Sequence, residues 1–282
     1  MELNRKTGFI GAGNMGEAIL GAMIQSGMSE PSMIYISDVS EERLDMIHRT
    51  YNVHVMADNS KLFSECGIVI LAVKPQQMGQ VLSQITGQEG YAVSDQKLVI
   101  SIAAGVPIRK IEDLLYAPLD ETAREKLSII RVMPNTPALV LAGMSGMSAN
   151  RHATPEDITI CKAILESMGK CIEFKEDKLD AVTALSGSGP AYIFYMIESM
   201  TEAGISVGLD PDDAAFLTLA TLEGAVRLLK ERGESPESLR QKVTSPGGTT
   251  EAALNVMENN KVKQSIIEAV EAAARRSKEL SV

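Results

Sequence analysis

The chain has no tryptophan, three histidines and three cysteines in its 282 residues. Cys66, Cys161 and Cys171 are odd in number, widely spaced and form no CxxC pair, which speaks against a disulfide framework and for a reducing cytoplasm. His48, His54 and His152 have no HExxH pattern or Cys/His cluster around them, so no metal site is expected. No lysine/arginine block is interleaved with aromatics, and 37 acidic residues against 27 basic ones leave a net charge of −10; nucleic acid is not expected as a partner. The longest apolar runs, such as IVILAV at 68–73, are far too short to cross a bilayer, and MELNRKTGFIGAG at the start has no apolar signal core. The expectation is a cytoplasmic protein that handles small molecules, with a core that needs no cross-link.

What is present falls into two rhythms. Short apolar runs at 7–11, 33–37, 53–56, 68–73, 97–102, 128–133, 144–149 and 171–174 predict strands, most of them separated by helical stretches such as Asn14–Ser26. That alternation argues for an α/β domain, a doubly wound parallel sheet wrapped by helices, over residues 1–175. Beyond Phe174 the strands stop. Pro190, Asp210-Pro211 and Ser235-Pro236 start helices, Gly233 ends one, and the tail from Lys261 carries an amphipathic stripe. Residues 176–282 therefore read as an all-helical domain whose apolar stripes suggest subunit contact, as a homodimer or a higher homo-oligomer.

GFIGAGNMGEAI places Gly11, Gly13 and Gly16 in a GxGxxG pattern directly after a strand and opening a helix. Gly11 permits the tight turn, Gly13 lets the backbone approach a pyrophosphate, and Gly16 lets helix and sheet pack closely; the phosphates then face the helix N-terminus. Asp38 ends the second strand and has two readings: acceptor for the adenine-ribose 2′-hydroxyl of NADH, or part of a helix N-cap. Arg43 is within reach of a 2′-phosphate, so NADPH or NADH stays open. LAVKPQ (71–76) and ISIAAG (100–105) end strands at the carboxyl edge, where such sheets hold ligands, and Lys74 is placed to face the cofactor or to be a solvated loop lysine. VMPNTPA puts Asn135 in a stiff turn, which either aims its amide or merely connects.

Oxidation of an alcohol needs a general base, and the helix after Pro190 carries no lysine through residue 204. Hydride delivery to an electron-poor C=N carbon needs no strong protein base and fits better. VTSPGGTT (243–250) fits that chemistry. Gly247 and Gly248 allow a turn that opens a helix from about Thr249, so the N–H groups of Gly248, Thr249 and Thr250 can cradle a substrate carboxylate. The Thr250 hydroxyl is then free for the ring nitrogen; the alternative is an elaborate N-cap.

Taken together, GAGNMG, AVKP, MPNTP, LSGSGPAY and VTSPGGTT resemble the Δ1-pyrroline-5-carboxylate reductase family over essentially the whole chain. The resemblance implies NAD(P)H-dependent reduction of the cyclic imine acid to L-proline, an N-terminal Rossmann domain and an all-α C-terminal dimerisation domain that interlocks with a partner's. It implies cofactor contacts at Gly11, Ala12, Gly13, Asn14, Met15, Asn59, Ala72, Val73, Lys74, Pro75 and Ala104, and substrate contacts at Glu176, Thr249 and Thr250. Asp38 stands where some relatives carry a serine that suits NADPH, and Lys242 is expected to add positive charge near the cofactor. A β-hydroxyacid-dehydrogenase-like oxidoreductase and a nicotinamide-sensing protein without turnover are the rival readings.

Overall fold

The computed structural model describes residues 3–280. Each apolar run read from the sequence is a strand: β1 Thr7–Ile10, β2 Ile34–Ser37, β3 His54–Val55, β4 Ile68–Leu71, β5 Lys97–Ser101, β6 Leu127–Met133, β7 Gly143–Ala149 and β8 Gly169–Glu173. Between them lie α1 Asn14–Gln25, α2 Glu41–Tyr51, α3 Asn59–Glu65, α4 Pro75–Thr86, α5 Ile108–Leu115, α6 Glu121–Glu125 and α7 Pro155–Glu166. The strands form one sheet in the order β3-β2-β1-β4-β5-β6-β7-β8. Residues of β1, β4 and β5 are buried throughout, because helices cover both faces of the sheet there. The two-residue period divides them between two cores. Ile68 and Ile70 join Leu20 of α1 and Ile164 of α7, while Val69 and Leu71 join Leu62, Leu82 and Ile111 of α3, α4 and α5.

The sheet is not parallel throughout. β7 runs antiparallel to β6, and β8 follows β7 in parallel. The link from β6 to β7 holds only the 3-10 turn Thr136–Val140, too short for the helical crossover that a parallel neighbour requires. The order reverses at β1, which lies between β2 and β4. Ligands in such sheets bind beyond the carboxyl ends of the strands at that reversal.

The chain divides into two compact units. One is the sheet unit through Ser188 together with the last helix from Ala273; the other is Gly189–Ala272. This division falls later than residue 175 because the segment after β8 packs on the sheet. Leu179 and Ala184, in α8 Leu179–Val182 and the π-turn Thr183–Gly187, are fully buried. The end of the last helix returns to the same unit, where Ser277 Oγ donates to Asp180 Oδ1 at 2.7 Å.

The helical unit contains α9 Gly189–Ser206, α10 Pro211–Arg232, α11 Pro236–Lys242, α12 Thr249–Asn259 and the start of α13 Val262–Leu280. The breaks follow the local chemistry: Asp210 precedes Pro211, Gly233 closes α10 in the left-handed region at φ 63°, and Ser235 Oγ accepts the Ser238 N–H. Gly204 lets α9 approach Ala214 of α10 closely, since a Cβ on it would lie 3.0 Å from the Ala214 Cβ. Among the described residues of this unit only Ala214 and Thr218 are buried, and Phe194, Tyr195, Phe216 and Leu217 are half or more exposed. No described helix is long and apolar enough to cross a membrane.

Candidate active site

The glycine loop leaves β1 at the reversal of strand order. Gly11 has φ +106°, and a Cβ on it would lie 2.6 Å from the carbonyl oxygen of Ala72, where the chain leaves β4. Its N–H donates to Ser37 O at 2.8 Å, so the exits of β1, β2 and β4 are bound together. Gly16 packs against the loop, its missing Cβ 2.7 Å from Gly11 O. Gly13 differs: it is the exposed N-cap of α1, and a Cβ there would meet nothing within 4 Å. The space above the helix N-terminus is therefore open, and the N–H groups of Asn14, Met15 and Gly16 have no acceptor within their own helix. This cradle fits a pyrophosphate, as in the nucleotide-binding turn of dinucleotide sheets.

The remaining residues expected to contact the cofactor are brought to the same edge. Asn59, at the start of α3, accepts the Ser37 hydroxyl at 2.6 Å and donates to Gln84 Oε1 at 3.1 Å. Lys74 is the exposed N-cap of α4, with Pro75 at the first helical position and Ala72 and Val73 half-buried before it. Ala104 is exposed after β5, next to Gly105, whose φ of +72° makes the turn. Asp38 caps no helix; Ser40 does, accepting the Arg43 N–H at 3.2 Å. The Asp38 carboxylate instead accepts the N–H groups of Ala12 at 2.6 Å and Ser40 at 2.9 Å.

Other side chains singled out in the sequence make contacts within the fold. Asn135 donates to Ser186 and accepts the Met144 N–H at 2.8 Å, so its turn is a connection. Glu176 Oε1 accepts the Ile108 N–H at 2.7 Å, at the first position of α5, and the buried Arg131 guanidinium at 3.2 Å. His54 stacks on Tyr35, and His48 Nδ1 meets Val53 O at 2.8 Å. Burial pushes the Cys66 thiol up to about 11, and Cys161 well above the usual thiol range.

In the helical unit, VTSPGGTT forms the turn and start of α12. Gly247 has φ +71°, and its N–H donates to Glu251 Oε2 at 2.8 Å. The Gly248 N–H donates to Ser245 O at 3.0 Å, so it is not available to a carboxylate, contrary to the sequence expectation. The turn closes on its own carbonyl, and the first amides facing outward are those of Thr249 and Thr250, the first two residues of the helix.

Thr250 lines a cavity of about 770 Å³ with Leu229, Glu234, Leu239, Lys242 and Leu254. Glu234 was not anticipated from the sequence. Its carboxylate accepts Lys242 Nζ at 2.6 Å and Ser238 Oγ at 2.8 Å, and these two donors hold it below the usual carboxylate range. Lys242 is thus paired rather than a free charge for the cofactor. The four-residue spacing of Glu234, Ser238 and Lys242 was the available signal.

Comparison with known proteins decides the family. Residues 176–280 match the model described as pyrroline-5-carboxylate reductase dimerisation, and residues 6–105 match NADP oxidoreductase coenzyme F420-dependent. Pyrroline-5-carboxylate reductase 2 of Bacillus subtilis is 40% identical over 98% of this chain and 95% of its own length. The chain belongs to the pyrroline-5-carboxylate reductase family. The structure of Plasmodium falciparum pyrroline carboxylate reductase with NADP bound superposes with a TM-score of 0.87 at 32% identity, covering all of both chains. That of Coxiella burnetii pyrroline-5-carboxylate reductase gives 0.86 at 37% identity, over 99% of this chain and 100% of that one. Family members are NAD(P)H-dependent oxidoreductases, and the glycine cradle of this chain has the matching form.

Proposed function

We propose that the chain reduces the C=N bond of Δ1-pyrroline-5-carboxylate to give L-proline, the last step of proline biosynthesis. The single observation that carries this is the start of α12, where Thr249 and Thr250 present the first amides of the helix and Thr250 lines a cavity. A carboxylate fits the amides and the positive end of the helix, and the Thr250 hydroxyl is placed for the adjacent ring nitrogen. The reduced nicotinamide, when bound, supplies the hydride. Gly11, Ala12, Gly13, Asn14 and Met15 hold its pyrophosphate, with Asp38 and Asn59 on the adenosine side. Ala72, Val73, Lys74, Pro75 and Ala104 line the remaining edge.

No side chain has to remove a proton from carbon. The imine carbon is electron-poor once its nitrogen is protonated or hydrogen-bonded, and the chain's task is to orient it and to exclude water. Glu176 has one carboxylate oxygen engaged by Ile108 and Arg131, so any substrate contact falls to the other. The hydroxyacid alternative is disfavoured by α9, which contains no lysine.

The active form is a homodimer or a higher homo-oligomer. An isolated helical unit with two buried residues has no core, and Phe194, Tyr195, Phe216 and Leu217 need a covering surface. The match to the dimerisation model begins at 176, which supports domains of 1–175 and 176–282 as functional parts. The cytoplasm, as the compartment, rests on the free thiols of Cys66, Cys161 and Cys171. The deciding assay follows nicotinamide absorbance with and without the imine acid. Loss of absorbance from the reduced nicotinamide only with the imine acid is expected; no loss with it, or instead a gain when a hydroxyacid is given with the oxidised nicotinamide, rejects the reading.

A further inference from the structure

Arg43 lies in the first turn of α2, beside the loop that follows β2, where dinucleotide sheets place the arginine that receives a 2′-phosphate. Here the guanidinium is turned the other way. Its Nε donates to the carbonyl oxygen of Ala12 in the glycine loop, and its Nη2 is paired with Glu17 Oε2. The second oxygen of Glu17 accepts the Tyr51 hydroxyl at 3.2 Å. Arg43 and Glu17 are both about three-quarters buried, so this is a packed cluster of α1 and α2 rather than a solvated pair.

Asp38 completes the arrangement. Both of its oxygens accept backbone N–H groups, which fixes the carboxylate at the end of β2. A cavity of about 650 Å³ runs along α2 itself, lined by Ser40 and Arg43 together with Glu42, Asp45 and Arg49. Arg49 faces Asp45 at 3.9 Å. A 2′-phosphate arriving at the end of β2 meets that carboxylate, while the Arg43 guanidinium is already paired with Glu17. A 2′-hydroxyl meets an acceptor.

We propose that Glu17 is a specificity-determining residue for the cofactor: by holding Arg43 on the glycine loop it withholds that cation from a 2′-phosphate, and with Asp38 it makes the site select NADH. The inference rests on the nucleotide-binding part of the function proposed above, and it does not depend on the imine chemistry.

The test is titration of NADH and NADPH into the purified protein without imine acid, read by calorimetry. Wild type is expected to bind NADH about tenfold or more tightly than NADPH. Glu17→Gln frees Arg43 and is expected to tighten NADPH about tenfold, with NADH changing by less than about threefold. In an Arg43→Ala background the same substitution is expected to leave the ratio unchanged, which separates release of Arg43 from simple removal of a negative charge. If Glu17→Gln does not fold, Glu17→Asp draws the carboxylate back by one methylene, weakens the same contact and is expected to move the ratio in the same direction.

Equal affinity of wild type for the two nucleotides, or an unchanged ratio in the Glu17 variant, overturns the proposal. A ratio that shifts equally in the Arg43→Ala background overturns it as well. Failure of both nucleotides to bind overturns it together with the function above, whereas binding with the expected ratio but no imine reduction leaves it standing and rejects only the latter.

Discussion

The Cβ that Gly11 lacks would lie 2.6 Å from the carbonyl oxygen of Ala72. The two residues leave neighbouring strands, β1 and β4, at the point where the strand order reverses, and their contact closes the floor of the nucleotide cradle. Two residues later, Gly13 has open space above it. One motif therefore contains a packing glycine and an access glycine.

Substitution separates them. Gly11→Ala is expected to destabilise the fold by about 2 kcal/mol or more, through a left-handed φ and a backbone clash. Gly13→Ala is expected to leave the thermal midpoint within about 2 °C of wild type while weakening nucleotide binding by about tenfold or more. Thermal melts and nucleotide titration on both variants check this; a Gly13→Ala protein that binds normally would mean that no phosphate approaches there.

Thr250 is the second residue of α12 and lines the cavity with Glu234. If its hydroxyl bonds the ring nitrogen, Thr250→Val lowers turnover by about a hundredfold with little change in nucleotide affinity or stability. Steady-state rates and nucleotide titration decide the matter. Equal losses in turnover and cofactor binding would reject the role.

Glu176 bonds the first amide of α5 and the buried Arg131, whose other acidic neighbour, Asp180, is 3.9 Å away. Glu176→Gln leaves that guanidinium without its closest anion and is expected to cost about 1–3 kcal/mol of stability. Denaturant unfolding measures the loss. A raised KM for the imine acid with undiminished stability would instead make Glu176 a substrate residue.

Lys97 gives a pH signature. Its ammonium is buried and donates to the carbonyl oxygens of Phe63 and Cys66 at the end of α3. Burial lowers its pKa from 10.5 to about 8, with Cys66 and Asp95 opposing that fall. Below pH 8 the lysine is charged in both folded and unfolded chains, and the cost of burying the charge is fully present. Between about pH 8 and 10.5 the unfolded chain holds a proton that the folded chain lacks, so the lysine's contribution to stability rises with pH.

Cys66, held up to about 11, acts in the opposite direction above pH 9. The informative quantity is therefore the stability difference between wild type and Lys97→Met, which is expected to shift in favour of wild type by about 3 kcal/mol across that interval. A difference independent of pH would show that Lys97 keeps an ordinary pKa.

Much of this was legible in the chain. The apolar runs became strands at nearly the expected residues, and β1, β4 and β5 were the plainest, because a strand buried on both faces must be apolar along its length. Gly233, Ser235 and Pro211 punctuate helices through their own φ preferences and capping groups, which are local properties. Glu176 was reached only by family likeness, since an acid beside Lys175 and Lys178 looks like any solvated loop charge until Arg131 is brought beneath it.

The sequence by itself determined the strands, the glycine loop, the helical second half and the turn that opens α12, because each depends on short-range periodicity, backbone freedom or a cap. Only the tertiary structure decided that β7 reverses, that Arg43 folds back onto the glycine loop, that Glu234 shares a cavity with Thr250, and that Asp38 binds Ala12 rather than capping a helix. These relationships join residues far apart or without periodic relation in the chain. A charge or amide finds its partner only after packing has removed water from around it, and no local pattern records which partner that is.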